Sequence, residues 1–236
     1  MEKLLGQLVE KLQKAFGDRL VSVVLYGSGA TGDHHKKFSD LNVLCVFTEV
    51  TPRELEQSEP IFRWWREHDN PAPLLLSEAE VETSTDCFAI EFHDIQARSR
   101  LLAGRDVVSS LKIDFSFYRA HVEYELRAKL LRLRQKAAGV LSDKNLLLRL
   151  LADSVSTFCT LGRHALLLSG DEARWQKREI VDAIEARLGV DGTPLRSLLD
   201  LREGRKKPRD LDARDLLKSY LDEIRKLVDA VDRMER

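Results

Sequence analysis

Hydrophobic residues alternate between helical and strand-like spacing along the first half of the chain. A helical period over residues 1–16 is carried by Leu4, Leu5, Leu8, Leu12 and Phe16. Residues 20–26 and 41–47 are short apolar runs that predict buried strands. Residues 52–68 predict a second helix, and residues 72–76 a third strand. This order of elements favours a small sheet covered by helices.

A period-two pattern appears in residues 87–95, where Phe88, Ile90 and Phe92 would share one face of a strand. Glu91 would then lie on the opposite face, together with Cys87, Ala89 and His93. Residues 96–103 predict a short helix that Gly104 ends.

The second half of the chain has helical spacing only. Long amphipathic helices are predicted over residues 122–137, 146–168, 180–188 and 216–231, and about five helices would form a bundle. The change of pattern near residues 105–115 divides the chain into an α+β domain over residues 1–110 and an all-α domain over residues 111–236.

Composition narrows the possible partners. The 38 Lys and Arg residues nearly balance the 39 Asp and Glu residues, so no global positive field exists to hold extended nucleic acid. No run approaches the roughly 20 apolar residues of a membrane span, and the first helix lacks the apolar core of a signal peptide. We therefore expect a cytoplasmic protein with no membrane partner.

Cys45, Cys87 and Cys159 are expected to be reduced and buried.

A Gly-Ser turn follows the first predicted strand, at Gly27 and Ser28. Glycine allows backbone amides to approach a phosphate closely, and the serine hydroxyl adds a hydrogen-bond donor. We expect an anion-binding turn here. Lys36, Lys37, His34 and His35 follow in the connecting segment, where a solvated basic loop is the simpler interpretation.

Three oxygen-bearing side chains are candidates for a site beside this turn. Asp40 and Asn42 are two residues apart, so in a strand they would project from the same face. Glu91 would supply a further carboxylate from a neighbouring strand, with Asp94 as the alternative. Carboxylates beside bound phosphates suit Mg²⁺. Asn42 as a polar strand start, and Glu91 as a solvated residue, are the simpler alternatives.

The Gly27-Ser28 turn followed by Asp40-Leu41-Asn42 resembles the nucleotidyltransferase superfamily, with its polymerase beta-like fold and a layout similar to kanamycin nucleotidyltransferase. The resemblance covers residues 20–105 and departs from the family at Asn42, where active members carry a second metal-binding aspartate. It implies a nucleotidyltransferase-like domain that binds a nucleoside triphosphate with Mg²⁺, held by Asp40, Asn42 and Glu91.

The resemblance also implies transfer of a nucleoside monophosphate to a hydroxyl of a small molecule or a protein, with Asp40 and Glu91 as catalytic residues. Lys129 is a candidate for binding the nucleotide beside Gly27 and Ser28, although a solvated helix face is the simpler reading. The rival hypothesis is a catalytically degenerate nucleotide-binding or regulatory module, favoured by Asn42. A homodimer is compatible with the long C-terminal helices.

Overall fold

The protein forms two compact units, Met1–Ser116 and Phe117–Arg236. The structure is a computed structural model that describes residues 1–30 and 41–234. The first unit is a mixed sheet with helices and the second is helical, which confirms the predicted fold class. Within the described part of the chain, no helix is both long and apolar enough to cross a membrane.

The first unit contains four helices and four strands among its described residues. In chain order they are α1 (Glu2–Phe16), β1 (Leu20–Tyr26), β2 (Asn42–Phe47), α2 (Pro52–Arg66), β3 (Leu74–Ser77), α3 (Glu78–Thr83), α4 (Ala89–Ala97) and β4 (Ser99–Gly104). The sheet has the order β3-β2-β1-β4. Strand β1 runs antiparallel to both β2 and β4, whereas β3 runs parallel to β2.

Each face of the sheet is covered by a separate apolar core. On one face, α1 and α2 pack against the sheet through a cluster that includes Leu8, Leu12, Val43 and Trp65. On the other face, Phe92 and Ile95 of α4 pack with strand residues such as Val24 and Leu44. Alternation along β1 and β2 therefore divides their side chains between the two cores.

Residues 87–95 do not form the predicted strand, because most of this segment is helix α4. The Phe92 amide donates to the Phe88 carbonyl oxygen across a helical turn (2.9 Å). Phe88, which the strand pattern would bury with Ile90 and Phe92, is 47% exposed. A short apolar run has the same composition in a buried helix as in a strand, so periodicity alone misled the assignment.

The helix predicted over residues 96–103 is also wrong, because Ser99–Gly104 forms the edge strand β4. This segment is rich in good helix formers, and pairing with β1 overrides that preference. Gly104 ends a strand and not a helix. Its φ is 81°, and a Cβ there would lie 2.2 Å from the Val21 carbonyl oxygen, so only glycine permits this close approach.

One of the three cysteines also differs from expectation. Cys45 and Cys159 are buried as expected, whereas Cys87 is exposed immediately before α4. Burial raises the pKa of the Cys45 thiol and raises that of Cys159 to about 12. These two thiols are therefore protonated and unreactive at neutral pH.

The second unit contains five helices among its described residues. They are α5 (Tyr118–Ala138), α6 (Lys144–Leu168), α7 (Lys177–Leu188), α8 (Thr193–Arg202) and α9 (Ala213–Asp232). Helix α6 is central, since it contacts each of the other four. Helix α8, which follows Gly192 and has Pro194 in its first turn, was not among the named sequence predictions.

Candidate functional site

The Gly-Ser turn lies where the sequence predicts it, directly after β1. Gly27–Gly29 forms a single 3-10 turn, and Gly27 has a φ of 75°. The Gly27 amide donates to the Arg98 carbonyl oxygen just before β4 (2.9 Å), and the Ala30 amide donates to the Gly27 carbonyl oxygen (3.1 Å). The predicted anion-binding role therefore rests on the Ser28 side chain and the Ser28 and Gly29 amides, because the Gly27 and Ala30 amides are bonded within the protein.

Asn42 lies against this turn. It is the first residue of β2 and pairs with Tyr26, the last residue of β1. A Cβ added to Gly27 would lie 3.4 Å from the Asn42 Nδ2. Glycine at position 27 therefore meets two requirements, a left-handed backbone and room for the neighbouring amide. Main-chain pairing thus brings Asn42 to Gly27.

Asp40, the central acidic candidate, lies outside the described residues, as do His34, His35, Lys36 and Lys37. Leu41, the first described residue after position 40, is held firmly in the fold. Leu41 is buried in the α1 and α2 core, and its amide donates to the Asn70 side-chain oxygen (3.4 Å). The role of Asp40 stays a prediction from the sequence.

Glu91 is on a helix and not on the expected strand. It is an exposed residue in the first turn of α4, on the sheet face where Tyr26 packs. Burial raises the pKa of the Tyr26 phenol, and the negative charge of Glu91 raises it further. The Glu91 carboxylate is therefore near enough to the end of β1 to disfavour a negative charge on Tyr26.

Asp94, the alternative third acid, is half-buried on the same helix. Its carboxylate is paired with the neighbouring His93 imidazole, with 3.4 Å between the Oδ1 and Nδ1 atoms. The His93 ring in turn makes an edge contact with Phe115. Asp94 is thus paired with an imidazole, whereas Glu91 is exposed to solvent.

Comparison with known proteins assigns the family. The family model described as "Nucleotidyltransferase domain" matches residues 5–131. The chain belongs to the nucleotidyltransferase domain family. The matched region contains Gly27, Ser28, Asn42, Glu91 and Lys129.

A solved structure shares the fold of this chain. It is the crystal structure of spectinomycin adenyltransferase AAD(9) from Enterococcus faecialis with ATP and spectinomycin, at a TM-score of 0.68 and 13% identity. The alignment covers 99% of this chain and 100% of that chain. Such a likeness shows a common fold. No curated protein sequence matches the chain.

Lys129, the basic residue that the sequence suggests for nucleotide binding, lies in α5 of the second unit. Its ammonium group is paired with the Glu125 carboxylate one helical turn away, with 3.1 Å between the charged atoms. The pair is solvent-exposed on the Lys129 side, where such interactions are weak and readily exchanged. Its contact with a nucleotide stays a prediction.

The side chains described at this end of the sheet fit Mg²⁺ in chemical type. Asn42 offers an amide oxygen beside the turn, and Glu91 offers an exposed carboxylate on the same side of the sheet. Magnesium prefers oxygen ligands and uses one or two carboxylates together with substrate phosphates. This partial set holds one negative charge, so Asp40 would have to supply the second.

Tyr26 is not among the site residues predicted from the sequence. Its position could have indicated it, since it lies between a buried strand and the Gly27 turn. The structure places it between Asn42 of β2 and Ser99 of β4, at the centre of the sheet end that carries the other candidates.

Proposed function

We propose that the protein binds a nucleoside triphosphate with Mg²⁺ and transfers the nucleoside monophosphate to a hydroxyl group of a small molecule or a protein side chain. The observation that carries the proposal is the position of Asn42 against the Gly27-Ser28 turn in a member of the nucleotidyltransferase domain family. This arrangement puts the Asn42 side-chain amide, whose oxygen can bind a metal ion, beside a turn suited to phosphate.

The acceptor class is supported by the fold neighbour. That enzyme is named as an adenyltransferase of spectinomycin and was crystallised with ATP and spectinomycin. Spectinomycin is a small hydroxylated molecule, so we favour a small polyhydroxylated acceptor and ATP as the first nucleotide to test. A protein side chain with a hydroxyl group is the second acceptor class.

The reaction would proceed by in-line displacement at the α-phosphorus. The acceptor oxygen forms a bond to that phosphorus, the bond to the bridging oxygen of the β-phosphate breaks, and pyrophosphate leaves. Glu91 is exposed and serves either as the base that accepts the proton of the acceptor hydroxyl or as the third metal ligand. Ser28 and the turn amides hold the phosphate chain, and Lys129 stays a candidate from the sequence for a basic contact to the nucleotide.

Asp40, Asn42 and Glu91 are the proposed metal ligands. The chemistry that bound Mg²⁺ supplies is neutralisation of the charge that develops on the departing pyrophosphate. Asn42 would contribute an oxygen ligand but no negative charge, because an amide is neutral. A lower affinity for the metal than in a site with two aspartates is the expected consequence.

The alternative function is a nucleotide-binding or regulatory module without transfer activity. One residue favours it, since Asn42 stands where the family resemblance implies a second metal-binding aspartate. With one fewer carboxylate, less negative charge offsets the repulsion between two dications at close range. Nucleotide binding without turnover is the distinguishing property of this alternative.

The test measures binding and transfer on the same preparation. Wild-type protein would be titrated with each of the four nucleoside triphosphates, with and without Mg²⁺, and pyrophosphate release would be followed with spectinomycin and other hydroxylated acceptors. Ser28→Ala is expected to weaken nucleotide binding about 10-fold, since it removes one donor to an anion. Ser110→Ala, at an exposed serine after β4, is the matched control.

Each outcome selects one hypothesis. Pyrophosphate release that depends on an acceptor and falls in Ser28→Ala supports the transferase. Binding that depends on Ser28 without any release supports the regulatory module. Absence of nucleotide binding by the wild-type protein, at millimolar nucleotide and Mg²⁺, would overturn both.

A further inference from the structure

Tyr26 occupies the centre of the candidate site without a role in the proposed chemistry. It is the last residue of β1, adjoins Gly27, and is paired with Asn42 on one side and Ser99 on the other. Because β1 lies between β2 and β4 in the sheet, a group on Tyr26 is flanked by both strands. The position is as close to the Gly27-Ser28 turn as a strand residue can be.

The ring of Tyr26 leaves the sheet on the side of α4. It packs against the core formed by Val24, Leu44, Phe92 and Ile95 with their neighbours, and the residue is half-buried. Strand alternation puts Asn42 on this same side, since Leu44 and Val46 also belong to that core. Tyr26 and Asn42 therefore face the same space.

The packing of Tyr26 needs only its ring. The core that it contacts is apolar, and a phenylalanine would satisfy it equally well. Among residues 1–30 and 41–234, none accepts a hydrogen bond from the Tyr26 hydroxyl. A tyrosine hydroxyl at a half-buried position normally has a hydrogen-bond partner. Among the described residues, the packing of the ring therefore does not account for the hydroxyl.

The hydroxyl is available as a hydrogen-bond donor, because a tyrosine phenol is un-ionised at neutral pH. A phenol that stays protonated is a neutral O–H donor, and a donor beside an anion-binding turn favours a negatively charged oxygen as its partner.

We propose that Tyr26 is a positioning residue that donates a hydrogen bond from its hydroxyl to the phosphate chain bound at the Gly27-Ser28 turn. This inference rests on the proposed nucleotide site, but it requires phosphate binding alone and not transfer. The ligand is identified by its chemistry, a polyphosphate with Mg²⁺, whatever base is attached to it. Tyr26 would supplement the turn, because the Gly27 amide is already bonded to Arg98.

The experiment uses inorganic tripolyphosphate with Mg²⁺ as the probe, titrated calorimetrically into the full chain. Tyr26→Phe is expected to weaken binding about 10-fold, as loss of one hydrogen bond to a charged group. Tyr124→Phe is the matched control, because it removes a hydroxyl at a residue of α5 that is 68% exposed. Thermal unfolding of both variants checks that the fold is intact.

A second measurement avoids substitution altogether. In wild-type protein labelled at the tyrosine Cζ carbon, the Tyr26 resonance is expected to shift when tripolyphosphate is added, while the Tyr124 resonance stays in place. A merely structural role would lower the thermal stability of Tyr26→Phe without moving the wild-type resonance. This readout decides the matter if Tyr26→Phe is unstable.

The outcomes separate this inference from the proposed function. Equal affinity in wild type and Tyr26→Phe, with a stationary Tyr26 resonance, overturns the role of Tyr26 and leaves the function standing. Affinity that depends on Tyr26 without nucleotidyl transfer to any acceptor supports the inference while the transferase hypothesis fails. A wild-type protein that binds no tripolyphosphate overturns the inference.

Discussion

The β1-turn-β2 region and the α4-β4 region reach the same end of the sheet by different interactions. Between β1 and β2, paired main chains place Tyr26 opposite Asn42, and the turn is closed by backbone hydrogen bonds. Helix α4 is positioned by side-chain packing, through Phe92 and Ile95, and no side chain caps its first turn. The positions of Tyr26 and Asn42 beside the turn are thus defined by backbone geometry, whereas the position of Glu91 depends on how a short helix packs.

This difference has a consequence for substitution. Changes in the β1-turn-β2 region should alter ligand binding directly, because each side chain has a fixed place relative to its strand partner. Substitutions in α4 should act through charge or packing, and their effect on ligand binding at the turn should be smaller. The following predictions test the comparison in order of expected effect.

Glycine substitution should give the largest effect. Gly104→Ala is expected to lower the free energy of unfolding by about 3 to 4 kcal/mol, because the added Cβ meets a backbone carbonyl that cannot move aside. Gly27→Ala should cost about 1 to 2 kcal/mol, since its strain is mainly the left-handed φ. Urea unfolding measures both.

Gly6→Ala is the control for these variants. Gly6 lies within α1 with no atom near an added Cβ, so alanine should raise stability by about 0.5 to 1 kcal/mol. If Gly104→Ala lowered the free energy of unfolding no more than Gly27→Ala does, the close approach of β4 to β1 would be contradicted.

Asn42→Asp should tighten Mg²⁺ binding about 10-fold, because a second carboxylate adds the charge that a cation site uses. If the wild-type protein is a weak enzyme, pyrophosphate release should rise as well. Metal titration by calorimetry, with Asn145→Asp in α6 as a charge-matched control, measures the change. Unchanged affinity would mean that position 42 does not face the metal, and tighter binding without turnover would favour the regulatory module.

Cysteine reactivity tests the start of the α4 region. Native protein should show one accessible thiol, Cys87, and three after denaturation. A hydrogen bond to Asp86, and then the charge of Asp86, raise the pKa of Cys87, so labelling should be slow at neutral pH and accelerate as pH rises.

Asp86→Asn should raise the rate of this labelling about two- to fivefold, since more of the thiol is ionised. Reaction with a chromogenic disulfide follows the rate, and Cys87→Ser identifies the site. Native labelling of Cys45 at a comparable rate would contradict the buried position of β2.

The smallest effect is expected from the contact between the two regions. Glu91→Gln should lower the pKa of Tyr26 towards its ordinary value without restoring it, because burial is the larger cause and the carboxylate the smaller one. A pH titration of the tyrosine Cζ resonance measures this. Glu78→Gln, whose carboxylate pairs with Arg105 after the opposite end of β4, should leave Tyr26 unchanged. An unchanged pKa of Tyr26 in Glu91→Gln would mean that α4 does not contribute to the site.

Much of the fold was predictable because local pattern and tertiary structure agree. The first helix, strands β1 and β2, helix α2 and the long helices of the second unit follow their hydrophobic period. The Gly27-Ser28 turn was predictable for the same reason, since a left-handed turn after a buried strand requires glycine. Asp40 and Lys129 remain sequence-based candidates for the site.

Tertiary structure alone decided the α4-β4 region. Residues 87–104 contain apolar positions compatible with either helix or strand, and the helix formers of Ser99–Gly104 favour an element that is not observed there. The open edge of β1 needs a partner for its main-chain groups, and Ser99–Gly104 provides it. Once that segment is a strand, α4 covers the sheet beside it. The placement of Glu91 near Tyr26 follows from this long-range pairing, which no local pattern encodes.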